Sequence, residues 1–328
     1  MSKYPQTVNW LVWKKNPDGS YQVKNCLTET TYTFGSLIFR FSRKLDGKHN
    51  PYTIMPELSP VEVDEMLEAL EKEFFLRHSR LLLKSLGSVC YTLWQPQHTR
   101  SNSMIPGVLN ILRNILWLPL FIVGLCIWAS NGYYSYGGNI WTGHFAGLVL
   151  GSIVHEACHA ASCLHRGGRL FETGVLRSFF VIPGMYVLLD LPRKRIHRLE
   201  ALVAGVEGNF MLCGLFMVLS VCFREFAGSF ETAGMCNLAM GLINLLPAEG
   251  LDGMRALYCL LGITDEPGRT SAILCDKNRR QELWRDGLSG RTELLVRACL
   301  AAMKCVMTAL LVVLGVWEVF SLCSCFWP

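Results

Sequence analysis

Five apolar stretches limit what this chain can fold into: 106–130, 142–164, 199–222, roughly 231–261 and 297–322. At about 20 residues per bilayer crossing, each is long enough to span a membrane as a helix. Inside hydrocarbon a segment must satisfy its own backbone groups, and a helix does so. With 51% hydrophobic and 17% charged residues, the chain is too apolar for an ordinary soluble enzyme, where charged residues make up about a quarter. The expected architecture is a multi-span α-helical membrane protein with about five transmembrane helices.

Basic residues orient those spans. The loop 131–141, "NGYYSYGGNIW", has none. The loops on the other side carry Arg166 and Arg169, then Arg193, Lys194, Arg195 and Arg198, then Arg269, Lys277, Arg279, Arg280, Arg285 and Arg291. By the positive-inside rule these loops and the N-terminus are expected to face the cytoplasm, with the chain a multi-pass protein of the cell membrane. Residues 1–13 lack the charged start, apolar core and small-residue cleavage site of a signal peptide, so the first 100 residues are expected to stay inside. The cytoplasmic loops account for the net charge of +5, and no nucleic-acid partner is implied. The 14 cysteines show neither zinc-ribbon nor disulfide-framework spacing and read as small apolar fillers. Cys323 and Cys325, near the outer end, are the pair to test for oxidation.

The first 95 residues are of a different kind. Three β-prone runs, 8–13, 21–23 and Thr30–Phe34, surround a turn signal, "NPDG", at 16–19. A helix is expected after Ser59 as N-cap, with Pro60 at its first position and Glu62 completing a capping box. Val63, Met66, Leu67, Leu70 and Phe74 then form one apolar stripe. The runs 81–86 and 89–94, separated by "GS", read as a β-hairpin. This order resembles the PqqD-like winged-helix modules, which recognise leader peptides during maturation of ribosomally made peptides. The expected division is a cytoplasmic winged-helix-like α+β domain at 1–95 and a membrane-embedded domain at 96–328.

The second span holds an anomaly, "HEACH" at 155–159. Residues four apart share one helix face, so His155 and His159 can offer both imidazoles to one cation, with Glu156 beside them. Two histidines holding zinc and a glutamate acting as general base make up the metalloprotease helix. Ionisable residues inside a span are costly and mark function, and a shared metal relieves three of them at once. A hydrolytic zinc takes three protein ligands and keeps one position for water. Candidates for the third ligand lie in "NLAMGLINLLPAEGLDGMRAL" (237–257), an apolar run broken by Pro247 and Gly250 that carries Glu249 and Asp252. Broken helices are tolerated at membrane depth where they line a cavity.

Three pieces between 142 and 260 together resemble the site-2 protease family of membrane-embedded zinc metalloproteases. "HEACH" followed by small residues and "RGG" is similar to that family's first motif. "AGVEGN" at 204–209 is similar to its Ala-Gly-Pro-x-x-Asn segment, and "NLLPAEGLDG" at 244–253 to its Asn-x-x-Pro…Leu-Asp-Gly motif. The resemblance implies one zinc per chain held by His155, His159 and Asp252, with Glu156 as the catalytic base. It also implies Asn209 and Asn244 as polar groups supporting the site. Val206 and Glu207 depart from the family, which commonly has proline first there, and Glu207 is expected to pair inside the membrane. The segment 171–192, broken by Gly174, Pro183 and Gly184, resembles the family's membrane-associated β-hairpin, whose edge an extended substrate could join.

The implied function is zinc-dependent hydrolysis of peptide bonds. Its substrate is a leader-bearing precursor peptide or a membrane protein. Regulated intramembrane proteolysis of a signalling protein is the alternative enzyme reading. A transporter or binding protein with a structural or transported zinc is the alternative outside catalysis.

Overall fold

The computed structural model describes residues 4–26, 30–73, 75–77, 81–85, 88–96, 104–131, 138–177, 183–248, 251–262, 274–285, 287, 290–303, 305–307 and 309. The chain is mainly helical with a small N-terminal β region, and it forms two compact units. The first comprises 1–107 and 163–192, the second 108–162 and 193–328.

In the first unit β1 (Gln6–Thr7) precedes an antiparallel meander of β2 (Leu11–Lys15), β3 (Tyr21–Asn25) and β4 (Thr30–Phe34). The "NPDG" turn joins β2 to β3, with Gly19 at φ +84° where a side chain would be strained. Helix α1 (Ser36–Lys44) follows, ending in Arg43 and Lys44, which favour a helix C-terminus. This helix was not expected from the sequence. Phe41 is fully buried and Phe39 stacks on Tyr21 at 3.9 Å, so tertiary packing holds this short basic segment helical.

Helix α2 (Pro60–Lys72) begins as expected. The Ser59 hydroxyl accepts from the Glu62 backbone N–H, and the Glu62 carboxylate accepts from the Ser59 N–H at 2.8 Å. Strand β5 (Leu76–Arg77) pairs with β1. Trp10, Val23, Phe41, Met55, Val63, Leu70 and Phe75 form the core of the unit.

The hairpin of β6 (Leu81–Ser85) and β7 (Ser88–Trp94) forms where expected. It does not stand alone. Strands β8 (Arg169–Arg177) and β9 (Pro183–Asp190) make the second expected hairpin, and β8 pairs with β7 to give one antiparallel sheet in the order β6-β7-β8-β9. Buried Phe171 and Leu188 join this core, and Asp190 lies 3.5 Å from Lys24. The segment 163–192, expected with the membrane domain, therefore belongs to the first unit. Inside the sheet the buried Glu172 carboxylate accepts from Thr92, Gln95 and Tyr186. Because β8 takes β7 as its neighbour, a further strand could join this sheet at β6 or at the outer side of β9.

Among the described residues three helices are long and apolar enough to cross a membrane: α3 (Ile105–Asn131), α4 (Ile140–His165) and α5 (Arg195–Cys222). The fourth apolar stretch is two helices, α6 (Ala227–Leu245) and α7 (Asp252–Leu260), interrupted where Pro247 stands. A last short helix is α8 (Lys277–Arg285), and residues 290–303 are helical. Of the fifth expected span, 310–322 lies outside the described residues.

Small residues set the spacing of these helices, as they do where lipid supplies no hydrophobic drive between helices. Gly143, Gly147 and Gly151 on α4 face Ser229, Ala233 and Asn237 on α6, both sets four residues apart. A methyl at any of the three glycines would come within 2.8 Å of its partner. Asn237 donates across this seam to the Gly147 carbonyl at 3.2 Å. Both stripes rise together, so α4 and α6 run parallel. Gly124 of α3 meets Gly214 of α5 closely enough that a Cβ on Gly124 would lie 2.6 Å from the Gly214 Cα.

Candidate metal centre

The second unit brings α4, α5 and the start of α7 together at one point. His155 and His159 lie one turn apart on α4, both 6% exposed, their rings 4.6 Å apart and nearly perpendicular. Asp252 is the first residue of α7, placed there by the break after α6. Its Oδ2 lies 2.9 Å from Nε2 of each histidine, and the two Nε2 atoms are 3.1 Å apart. The sequence separation of 93 residues between His159 and Asp252 is closed by this one contact.

The backbone of α5 completes the arrangement. Nδ1 of His159 is 2.7 Å from the Ala201 carbonyl, which can only accept. Nδ1 therefore carries the proton and Nε2 is left with its lone pair, the tautomer that metal-ligating histidines adopt. One turn along α5, Gly205 comes so close that a Cβ there would lie 2.4 Å from Nε2 of His159 and 2.7 Å from Nε2 of His155. Any side chain would fill the space in front of both nitrogens.

Two imidazole nitrogens and a carboxylate oxygen that converge within about 3 Å could hold a cation among them. Ligands of a tetrahedral zinc, about 2.0–2.1 Å from the ion, sit about 3.3 Å from one another. The observed triangle comes within a few tenths of an ångström of that, and the donor types are those of zinc sites. Among the described residues, His155, His159 and Asp252 are the group that could hold a metal.

Glu156 lies within electrostatic reach of both histidines, Asp252 and Arg255, and is not one of the converging donors. Cys158 packs against Gly208 of α5 and stays outside the donor set. Asn209 is fully buried on α5, and both its amide atoms lack a hydrogen-bond partner. At four and eight residues from Gly205 and Ala201 it shares their side of the helix, one turn further on. The Asn244 amide donates to the Met240 carbonyl of its own helix at 3.0 Å. Glu249 lies outside the described residues. Glu207 does pair, with Arg113 of α3, Nε to Oε2 being 3.1 Å.

Sequence reasoning missed Ala201, because a backbone carbonyl leaves no residue signature. It passed over Gly205, although Gly205 and Gly208 in "AGVEGN" have the spacing that lets one helix lie against another. Comparison with protein-family models, curated proteins and solved structures finds no match for this chain.

Proposed function

We propose that the protein is a membrane-embedded zinc endopeptidase of the site-2 protease type, with an N-terminal winged-helix-like domain that recognises its substrate. The observation that carries this reading is the convergence of His155, His159 and Asp252 beside a glutamate that is not itself a ligand. His155, His159 and Asp252 would hold the ion. When bound, zinc supplies Lewis-acid polarisation of a peptide carbonyl and an acidified water.

The chain's own groups do the rest. The Ala201 carbonyl keeps the His159 ring in one orientation and tautomer. Glu156 takes a proton at its carboxylate from the attacking water and returns it to the leaving amine nitrogen as the peptide bond breaks. Asn209, buried and without a partner, offers an amide to a polar substrate group. Peptide bonds within a helix hide their carbonyls in backbone hydrogen bonds, so a helical substrate has to unwind before attack.

A structural zinc would take four protein ligands, whereas among the described residues three donors converge here and Glu156 is not one of them. On this reading the chain crosses the cell membrane five times, the fourth crossing broken before Asp252, with the N-terminus cytoplasmic. The order of strand meander, α1, α2 and hairpin supports leader-peptide recognition and hence maturation of a ribosomally made precursor. The test is Glu156→Gln in purified chain: cleavage should disappear while about one zinc per chain remains. Turnover comparable to wild type would remove Glu156 from the chemistry, and a wild-type chain that shows no zinc-dependent cleavage would remove the protease reading.

A further inference from the structure

Helix α5 stands between two different neighbours. On one side Glu200, Glu207 and Gly214 recur every seven residues, which keeps them on one stripe. That stripe meets α3 at Asn110, Arg113 and the turn from Leu120 to Gly124. At about 100° per residue, Ala201 and Gly205 lie well round the helix, against His155 and His159 of α4.

Arg113 is only 2% exposed in an otherwise apolar helix, and its guanidinium reaches two carboxylates of α5. Nε lies 3.1 Å from Glu207 and Nη2 lies 3.8 Å from Glu200. Nη2 also donates to Asn114 at 2.6 Å, and Asn110 donates to Glu200 at 3.2 Å. A buried arginine tolerates little displacement of its partner, because the alternative is an uncompensated charge in a low dielectric. Two turns further along, Gly214 lies so near the Leu120 carbonyl that a Cβ would be 2.1 Å from it. An ion pair at one end and a glycine contact at the other fix both the axial position and the rotation of α5 on α3.

We infer that Arg113 and Glu207 are positioning residues for the metal centre, holding α5 so that the Ala201 carbonyl and the bare backbone at Gly205 meet the two histidines. The inference rests on the metal reading of His155, His159 and Asp252, but not on proteolysis. A shift of a few tenths of an ångström in α5 changes the Ala201 contact and the room in front of both Nε2 atoms, and metal sites are sensitive on that scale. Partners that orient a metal ligand typically alter affinity by about 10–100-fold when lost.

The experiment uses full-length chain in detergent and cobalt(II) as the probe. Affinity is read by competition with a chelator, and ligand geometry by the cobalt absorption spectrum. Wild type should bind about one cobalt per chain; no binding would overturn the metal reading itself. Glu207→Gln and Arg113→Leu should each weaken cobalt binding by about 10-fold or more and alter the spectrum, and the double variant should lose no more than either alone. The exchanged pair Arg113→Glu with Glu207→Arg should regain affinity over the singles. If wild type binds cobalt and the folded single variants match its affinity and spectrum, the positioning role is refuted and the pair serves only helix assembly. Should the singles fail to fold, the exchanged pair decides: cobalt binding restored with folding supports the role, and folding restored without cobalt binding overturns it.

Discussion

Gly205→Ala is the sharpest perturbation the metal centre offers. The added carbon would sit 2.4 Å from Nε2 of His159 and 2.7 Å from both Cε1 and Nε2 of His155. Ordinary carbon–nitrogen contact begins at about 3.4 Å, so about 1 Å of displacement has to be absorbed by α5 or by the imidazoles. Metal–ligand distances tolerate about 0.2 Å. Affinity should therefore fall beyond the roughly 100-fold that marks the upper end for losing an orienting partner. Alanine is a better helix former than glycine by about 1 kcal/mol, so weakening of α5 itself cannot be the cause. Zinc content after dialysis against a graded chelator series, with thermal unfolding of the same samples as the folding control, measures the effect. A folded Gly205→Ala chain that keeps zinc with wild-type affinity would show that the convergence of the three side chains is not a metal site of this geometry.

Two further outcomes follow from the same structure. Asp252→Ala should lose zinc and activity together, whereas Glu249→Ala, the rival carboxylate of the broken segment, should keep most of its zinc; elemental analysis with the opposite pattern would exchange their roles. In the first unit, backbone N–H groups of Lys48 and His49, then the His49 ring, hold Asp46 down from its ordinary 3.8 to about 2. The contribution of this carboxylate to stability is complete above about pH 4 and is lost as pH falls through 2. Asp46→Asn should flatten that window in an acid-unfolding curve, and an unchanged curve would contradict the assignment.

Much of the helical framework was legible because a lipid environment leaves a chain little choice. The apolar windows 106–130, 142–164 and 199–222 lie inside α3, α4 and α5, ending within four residues of them. The capping box of α2 was legible for a local reason, since both partners lie within four residues. What stayed hidden was non-local or without a side-chain signature. No periodicity tells β7 that its neighbour is a strand some 80 residues later, and that pairing changes where the first unit ends. Helix α1 was hidden because a nine-residue basic segment becomes helical only once Phe41 has a core to enter. At the site, spacing supplied His155, Glu156 and His159. Asp252 could be preferred over Glu249 only through family resemblance. The pairing of Arg113 with Glu207 needed the register of two helices.

The sheet β6-β7-β8-β9 also decides how substrate recognition can be tested. Deleting residues 1–95 removes β6 and β7 and leaves the nine residues of β8 with one free edge. It also uncovers Phe171 and Leu188, now 2% and 7% exposed in a core built mostly by the deleted residues. Full burial of such side chains is worth about 1.5–3 kcal/mol each, so roughly 3–6 kcal/mol is forfeited by a hairpin that is marginal by itself. The truncated chain should therefore show fast amide exchange throughout 169–177 and 183–190, where the strand pairing of the full chain should give protection. Reduced cleavage by it could not be assigned to lost leader binding. Leader recognition has to be read on the full chain, by calorimetric titration of a leader peptide. Unchanged protection of 169–177 and 183–190 after the deletion would show that the β7–β8 pairing contributes nothing to the hairpin, and the truncation would become a valid test after all.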